Sequence, residues 1–239
     1  MADRHDVLAE PSGTDMPVGG APVPTREGDP LAVVVDFLRR RRWVRRGLSV
    51  VSVGLLVTAV GLLGYPFYTN FYQDRLQRKL GSQLVDPTHQ ALYRTHAAGG
   101  GAIETGDALT RLRIPAIKVD VVVVEGTTAS ALRAGAGHYV NTPLPCEQGN
   151  VAIAGHRTTY GRPFSHVDVL KAGDEITLET PVGTCTYRID RAPYVVTPLD
   201  TSVLNPTPDA TLTLTTCHPK GSARQRLIIK ARLVGQQAA

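Results

Sequence analysis

The chain has 239 residues, a formal net charge of +5 and only 5% aromatic residues. The positive excess is local: Arg39, Arg40, Arg41, Arg42, Arg45 and Arg46 form one block that outweighs the whole net charge. Without aromatic and basic side chains interleaved to stack bases, the composition argues against a nucleic-acid partner; three cysteines are too few for a disulfide framework and are not spaced as zinc ligands.

Residues 1–46 read as a Pro-, Gly- and Asp-rich disordered cytoplasmic tail that ends in the arginine block, with a short apolar run at 31–38. From Gly47 to Gln73 no residue is charged. The apolar core of that stretch is long enough for a hydrocarbon layer, which needs ~20 residues, and longer than the signal-peptide apolar region of about 7–15. It leaves through Tyr65-Pro66-Phe67-Tyr68, an aromatic cluster suited to a membrane interface. Residues 47–69 are therefore expected to be a transmembrane anchor. Basic flanks stay in the cytoplasm, which makes this a single-pass protein of the cell membrane with everything after the span extracytoplasmic. The arginines can also touch anionic lipid. Residues 70–104 read as an extracytoplasmic stalk, helical over 72–84 with Leu76 and Leu80 on one face, and flexible over the glycine-rich 97–102.

Residues 105–239 change to short β segments with turn signals between them. Leu112 and Ile114 alternate with Arg111 and Arg113; residues 119–124 are a β-branched run broken only by Asp120; residues 150–156 read as a buried strand. Further alternation marks 176–179, 184–189, 211–217 and 226–233, and only 130–135 suggests a short helix. Many short strands at close spacing predict a mostly β domain, a barrel or a sandwich.

In Thr211-Leu212-Thr213-Leu214-Thr215-Thr216-Cys217, period-2 geometry sets the two leucines on one face and Thr213, Thr215 and Cys217 on the other. A thiol on a polar face, at a strand end beside a loop, is where a nucleophile is accessible; a packing cysteine would join the leucines. If the last two strands form a hairpin, Arg226 lies across from Cys217, Arg224 falls inside the loop, and His218 points to the opposite face. A thiol nucleophile needs a proton-transfer partner. His156, which ends a small apolar strand after Gly155 and opens a polar loop, is the best candidate; a structural histidine bonded to its loop is the alternative. His89, His96, His138 and His166 lack such a setting. Glu125, Glu147, Asp168, Asp174 and Glu175 have no ligand rhythm, so neither a metal site nor a cofactor is expected.

These residues resemble the sortase family. Thr213-Leu214-Thr215-Thr216-Cys217 looks like its T-L-x-T-C motif, Arg226-Leu227-Ile228-Ile229 like the arginine opening the final strand, and 149–157 like the strand carrying the family histidine. The resemblance covers 109–233, and Thr216-Cys217-His218-Pro219 with Ser222-Ala223-Arg224-Gln225-Arg226 looks closest to class E. It implies a closed β-barrel of about eight strands with short helices, spanning residues 105–239 behind the one N-terminal transmembrane helix. It also implies catalytic roles for His156, Cys217 and Arg226. The implied activity is cleavage of a Leu-Ala/Pro-x-Thr-Gly-type sorting signal between Thr and Gly through a Cys thioacyl intermediate. The implied partners are sorting-signal-bearing surface proteins and a peptidoglycan precursor amine. Pilin polymerisation is the rival within the family. An L,D-transpeptidase, whose nucleophile follows His and Gly, and a non-catalytic membrane-tethered scaffold are the rivals outside it. Cys146 and Cys185 are outside the family pattern. A bridge between them is open, and the apolar face of Cys185 favours a buried packing thiol.

Overall fold

The computed structural model describes residues 33–37 and 42–238; of the tail expected over residues 1–46, residues 1–32 and 38–41, with Arg39, Arg40 and Arg41, lie outside the described residues. Two compact units divide the chain between Val57 and Thr58. In the first, residues 33–37 are helical and helix α1 (Arg42–Val85) begins. This helix is long and apolar enough to cross a membrane, by length and composition. Leu48, Val51, Leu55, Leu56, Leu62 and Leu63 are all exposed along it, an apolar surface of the kind that lipid or a partner covers.

The segment read as a stalk is helical and packed on the domain that follows. Helix α1 stops at Val85 because Pro87 disfavours helical backbone in the residue before it. Asp86 then caps helix α2 (Pro87–Ala97), its carboxylate accepting from the Thr88 and His89 N–H groups at 2.9 and 3.0 Å.

Nine strands follow among the described residues: β1 (Ala108–Ile114), β2 (Val119–Glu125), β3 (Ala136–His138), β4 (Asn150–Ala154), β5 (Glu175–Thr180), β6 (Gly183–Ile189), β7 (Tyr194–Val196), β8 (Thr211–His218) and β9 (Gln225–Ala238). A short helix α3 (Ala129–Ala134) carries the parallel crossover from β2 to β3. The order β6-β5-β1-β2-β3-β4-β8-β9 closes on itself because β9 is long. One edge pairs with β8, and the other pairs first with β7 and then with β6. The result is a closed eight-strand barrel with β7 as an added short strand.

The interior holds Leu112, Ile114, Ile153, Phe164, Ile176, Leu178, Tyr187, Leu212 and Leu214, each fully buried. Burial of each such side chain stabilises by roughly 1.5–3 kcal/mol. Arg111 and Arg113 point outward, toward Asp120 and Glu179. The β-branched run has no polar alternation because both faces of β2 are covered. Val121 and Val123 face the barrel interior, while Val122 and Val124 pack under Leu76, Leu80 and Leu84 of α1. Val122 precedes the β2–β3 pairing, which starts at Val123, so its edge groups need another partner. The Gln77 carboxamide supplies it, accepting from Val122 N–H at 2.7 Å and donating to the Val122 and Ala134 carbonyls at 3.2 and 2.6 Å.

Cys146 and Cys185 are joined by a disulfide with Cα atoms 5.6 Å apart. Cys185 is buried on the inner face, opposite Leu178, as its alternation requires, but it is not a free packing thiol. In the loop before β4, Cys146 packs against the barrel core and its N–H donates to the Tyr187 hydroxyl at 3.2 Å, bringing the two sulfurs together. Sequence alone did not show that this loop and β6 are neighbours. Mass spectrometry of the non-reduced, alkylated protein is expected to find a single alkylated cysteine, Cys217. The Cys146→Ser, Cys185→Ser double variant should lose ~4 kcal/mol of unfolding free energy in denaturant titration. Three alkylated cysteines in the unmutated protein would contradict the bridge.

Candidate active site

The alternation of β8 decides what the site can contain. Leu212 and Leu214 lie inside the barrel opposite Ala231 and Ile229. Thr213, Thr215 and Cys217 therefore project outside, opposite Lys230, Ile228 and Arg226. On the other edge of β8 the parallel strand β4 sets Ala152 beside Thr213 and Ala154 beside Thr215. Two residues further along that register, His156 comes level with Cys217. The pairing reaches to within one residue of that level: Gly155 N–H donates to the Thr215 carbonyl at 3.1 Å, and the Thr216 hydroxyl donates to the Gly155 carbonyl at 2.7 Å. Continued over those two residues, the register sets His156 in one row with the Cys217–Arg226 cross-strand pair.

The residues around His156 hold it there. Gly155 faces inward, and a Cβ on it would sit 2.5 Å from the buried Phe164 ring. That ring belongs to the loop that folds back, with Phe164 N–H donating to the His156 carbonyl at 3.1 Å. Further along the loop, Gly161 has φ of +68°, and a Cβ on it would overlap the buried Gln73 carboxamide of α1. The loop is pressed between barrel and helix, and Tyr160 lies against the His156 imidazole with ring centroids 5.4 Å apart. Arg133 of α3 covers the Tyr160 ring at 5.8 Å. Burial and, second to it, the Arg133 charge hold the His156 pKa below the ordinary histidine value.

Cys217 is the free thiol among the described residues and is partly exposed. No hydrogen bond joins it to the imidazole among the described residues. The Arg226 guanidinium is turned toward its own hairpin loop, donating to the Ala223 and Gln225 carbonyls at 3.0 and 3.1 Å. Arg224 is in that loop, exposed and out of the row. His218 faces away from the thiol, as its alternation requires.

Sequence reasoning gave no role to Arg157, which is buried beneath the end of β8. Its Nη1 donates to the Cys217 carbonyl at 3.3 Å and to His218 Nδ1 at 2.9 Å, and its Nη2 pairs with Asp168 at 3.2 Å. The only signal was its place next to His156, which aims it to the opposite face. It also gave no role to the outer-face cluster of Asn150, Thr213 and Lys230, whose residues are far apart in sequence. No metal-type grouping of three His, Cys, Asp or Glu side chains occurs among the described residues. Glu125 faces His138, Asp168 faces Arg157 and Lys220, and Glu175 faces Arg188.

Comparisons with known proteins agree with this architecture. A family model described as the sortase domain matches residues 112–234. Sortase D of Bacillus subtilis is 37% identical over 197 residues, covering 78% of this chain and 96% of that protein. Sortase SrtE1 of Streptomyces coelicolor is 28% identical over 227 residues, 85% of this chain but 63% of SrtE1, so the chain spans less than two-thirds of that relative's length. The solved structure of a Clostridium perfringens sortase D5 transpeptidase has a TM-score of 0.58 and 32% identity, covering 68% of this chain and 98% of that one. The chain belongs to the sortase family of cysteine transpeptidases.

The His156 environment yields a titration test. Its imidazole should titrate below 6.5 when followed by NMR in the folded protein. Arg133→Gln should move the midpoint up, but not all the way to the ordinary value, because burial is the larger cause. The unfolded chain binds the proton more readily. His156 therefore stabilises the fold relative to its protonated form above the unfolded pKa, and that contribution is lost as pH falls through the folded one. An unshifted midpoint would contradict this account.

Proposed function

We propose that this protein is a membrane-anchored transpeptidase that cuts a Leu-Ala/Pro-x-Thr-Gly-type sorting signal between Thr and Gly and transfers the Thr end to a cell-wall amine. The observation that carries the reading is the row of His156, Cys217 and Arg226 on the outer face of the barrel, at an open loop edge. In the first half-reaction Cys217 Sγ bonds to the threonyl carbonyl carbon while His156 takes the thiol proton. A neutral imidazole can do this, and the lowered His156 pKa keeps it neutral at neutral pH. The guanidinium of Arg226 swings from the Ala223 and Gln225 carbonyls to the oxyanion. Collapse of the tetrahedral adduct breaks the C–N bond as His156 returns the proton to the departing glycine amine. The thioacyl enzyme is then attacked by an amine of a peptidoglycan precursor, which gives its proton to His156, and the thiol is released.

The same reading has residues 47–69 as the single-pass anchor, the arginine block inside and the barrel outside. Surface proteins and the membrane are then its partners. The class E likeness rests on the residues flanking Cys217 and Arg226 and favours Ala in the second position of the signal.

Cys217→Ala is expected to abolish cleavage of fluorogenic sorting peptides while leaving the melting temperature nearly unchanged, because a partly exposed thiol contributes little packing. Arg226→Ala should lower kcat by about 10²–10³ if it serves the oxyanion. Normal turnover by Cys217→Ala would remove the proposal.

Topology is tested separately: protease added to intact protoplasts should digest or release the barrel and spare residues 1–46. The reverse pattern would place the active site inside the cell.

A further inference from the structure

The ladder between β4 and β8 ends one residue short of the nucleophile. Its last bonds are Gly155 N–H to Thr215 and the Thr216 hydroxyl to Gly155. Beyond them the chain carrying His156 and the chain carrying Cys217 are linked by the buried side chain of Arg157 and, further out, by the exposed Lys220–Asp168 pair at 3.5 Å. Arg157 is 4% exposed. Burying a guanidinium costs several kcal/mol, which only good pairing returns. Here the pairing is incomplete: the carboxylate partner Asp168 is itself partly exposed, and Arg157 Nε is buried with no hydrogen-bond partner among the described residues. An apolar side chain of similar size would pack this position without that penalty. Stability alone does not account for an arginine here.

What the arginine holds does account for it. Nη1 donates to the carbonyl of Cys217 itself, 3.3 Å, and to Nδ1 of the next residue, His218, 2.9 Å. A guanidinium can only donate, so Nδ1 accepts and the His218 proton sits on Nε2. Nη2 is tied at 3.2 Å to Asp168, in the short 3-10 turn Val167–Val169. Arg157 and His156 share a peptide bond, so a side chain that grips the Cys217 carbonyl ties the backbone of the imidazole to that of the thiol.

We propose that Arg157 is a positioning residue for the transfer reaction, a buried clamp anchored by Asp168 that sets the Cys217 main chain level with His156. The inference rests on the transpeptidase reading above and goes beyond it by giving the face opposite the site a role in turnover. Arginine is required because it reaches a carbonyl, a ring nitrogen and a carboxylate together; a lysine ammonium is a single point and cannot span them.

The test uses the full chain in detergent micelles, with Arg157→Gln, Arg157→Lys and Asp168→Asn. Three quantities are read: kcat and KM on a fluorogenic sorting peptide, the pH profile of Cys217 alkylation by iodoacetamide, and the melting temperature. Arg157→Gln should lower kcat about tenfold to a hundredfold, the scale of a small misplacement of reacting groups, with KM unchanged. The alkylation profile should shift. Arg157→Lys should recover only part of the loss. Asp168→Asn should show the same kcat-only loss in milder form, and as a partly exposed position it carries the test if the Arg157 variants do not fold. A folded Arg157→Gln, or failing that Asp168→Asn, with wild-type kcat and a wild-type alkylation profile would overturn the clamp. So would a rise confined to KM. If the unmutated chain cleaves no sorting peptide but its alkylation profile still shifts in the variants, the transpeptidase reading fails and the clamp stands.

Discussion

Leu212 and Leu214 can be buried inside the barrel only if Thr213, Thr215 and Cys217 face out of it, and a slip of one residue would exchange the two sets. The neighbours of β8 lock that choice. Antiparallel β9 matches the leucines with Ile229 and Ala231, and parallel β4 matches them with Val151 and Ile153, all inside the barrel. The same register that closes the core therefore lines up His156, Cys217 and Arg226 on the outside. Core packing and site geometry are one constraint seen from two faces of a sheet.

The outer face of these strands is polar yet largely covered, which requires its donors and acceptors to be satisfied. They converge on one carbonyl. Val203, in the long connection from β7 to β8, accepts from Asn150 Nδ2 at 2.9 Å, Thr213 Oγ1 at 3.4 Å and Lys230 Nζ at 2.7 Å. The half-buried Lys230 ammonium is held below the usual lysine pKa, mainly by burial and secondarily by Arg191. Nearer the thiol, the Thr215 and Tyr139 hydroxyls meet at 3.1 Å. The threonines that alternate with the leucines thus hold neighbouring segments against the outer face of the barrel.

The lower part of α1 belongs to the same unit as the barrel. Gln77 completes the edge of β2, Leu80 packs on Val122 and Val124, and Gln73 meets the loop that follows His156. A flexible stalk would leave that loop free. A packed helix instead braces Tyr160 against the imidazole, so the burial that lowers the His156 pKa depends partly on a segment far upstream.

Local pattern was enough for whatever period and spacing encode. The apolar span after the arginines, the inward leucines of β8, the outward thiol and the loop position of Arg224 follow from alternation and turn residues, because each depends only on neighbours in the chain; the strand expected to end at His156 stops at Ala154, two residues before it. Tertiary structure decided what depends on distant neighbours. The unbroken valine run of β2 does not say which layer covers each face; helix α1 does. The apolar setting of Cys185 favours a packing thiol until the loop carrying Cys146 packs against the same core and the bridge closes. Arg157 looks like an ordinary loop cation until β8 ends above it. In each case the deciding partner is brought near by barrel closure, and contacts of that range leave no periodic trace in the sequence.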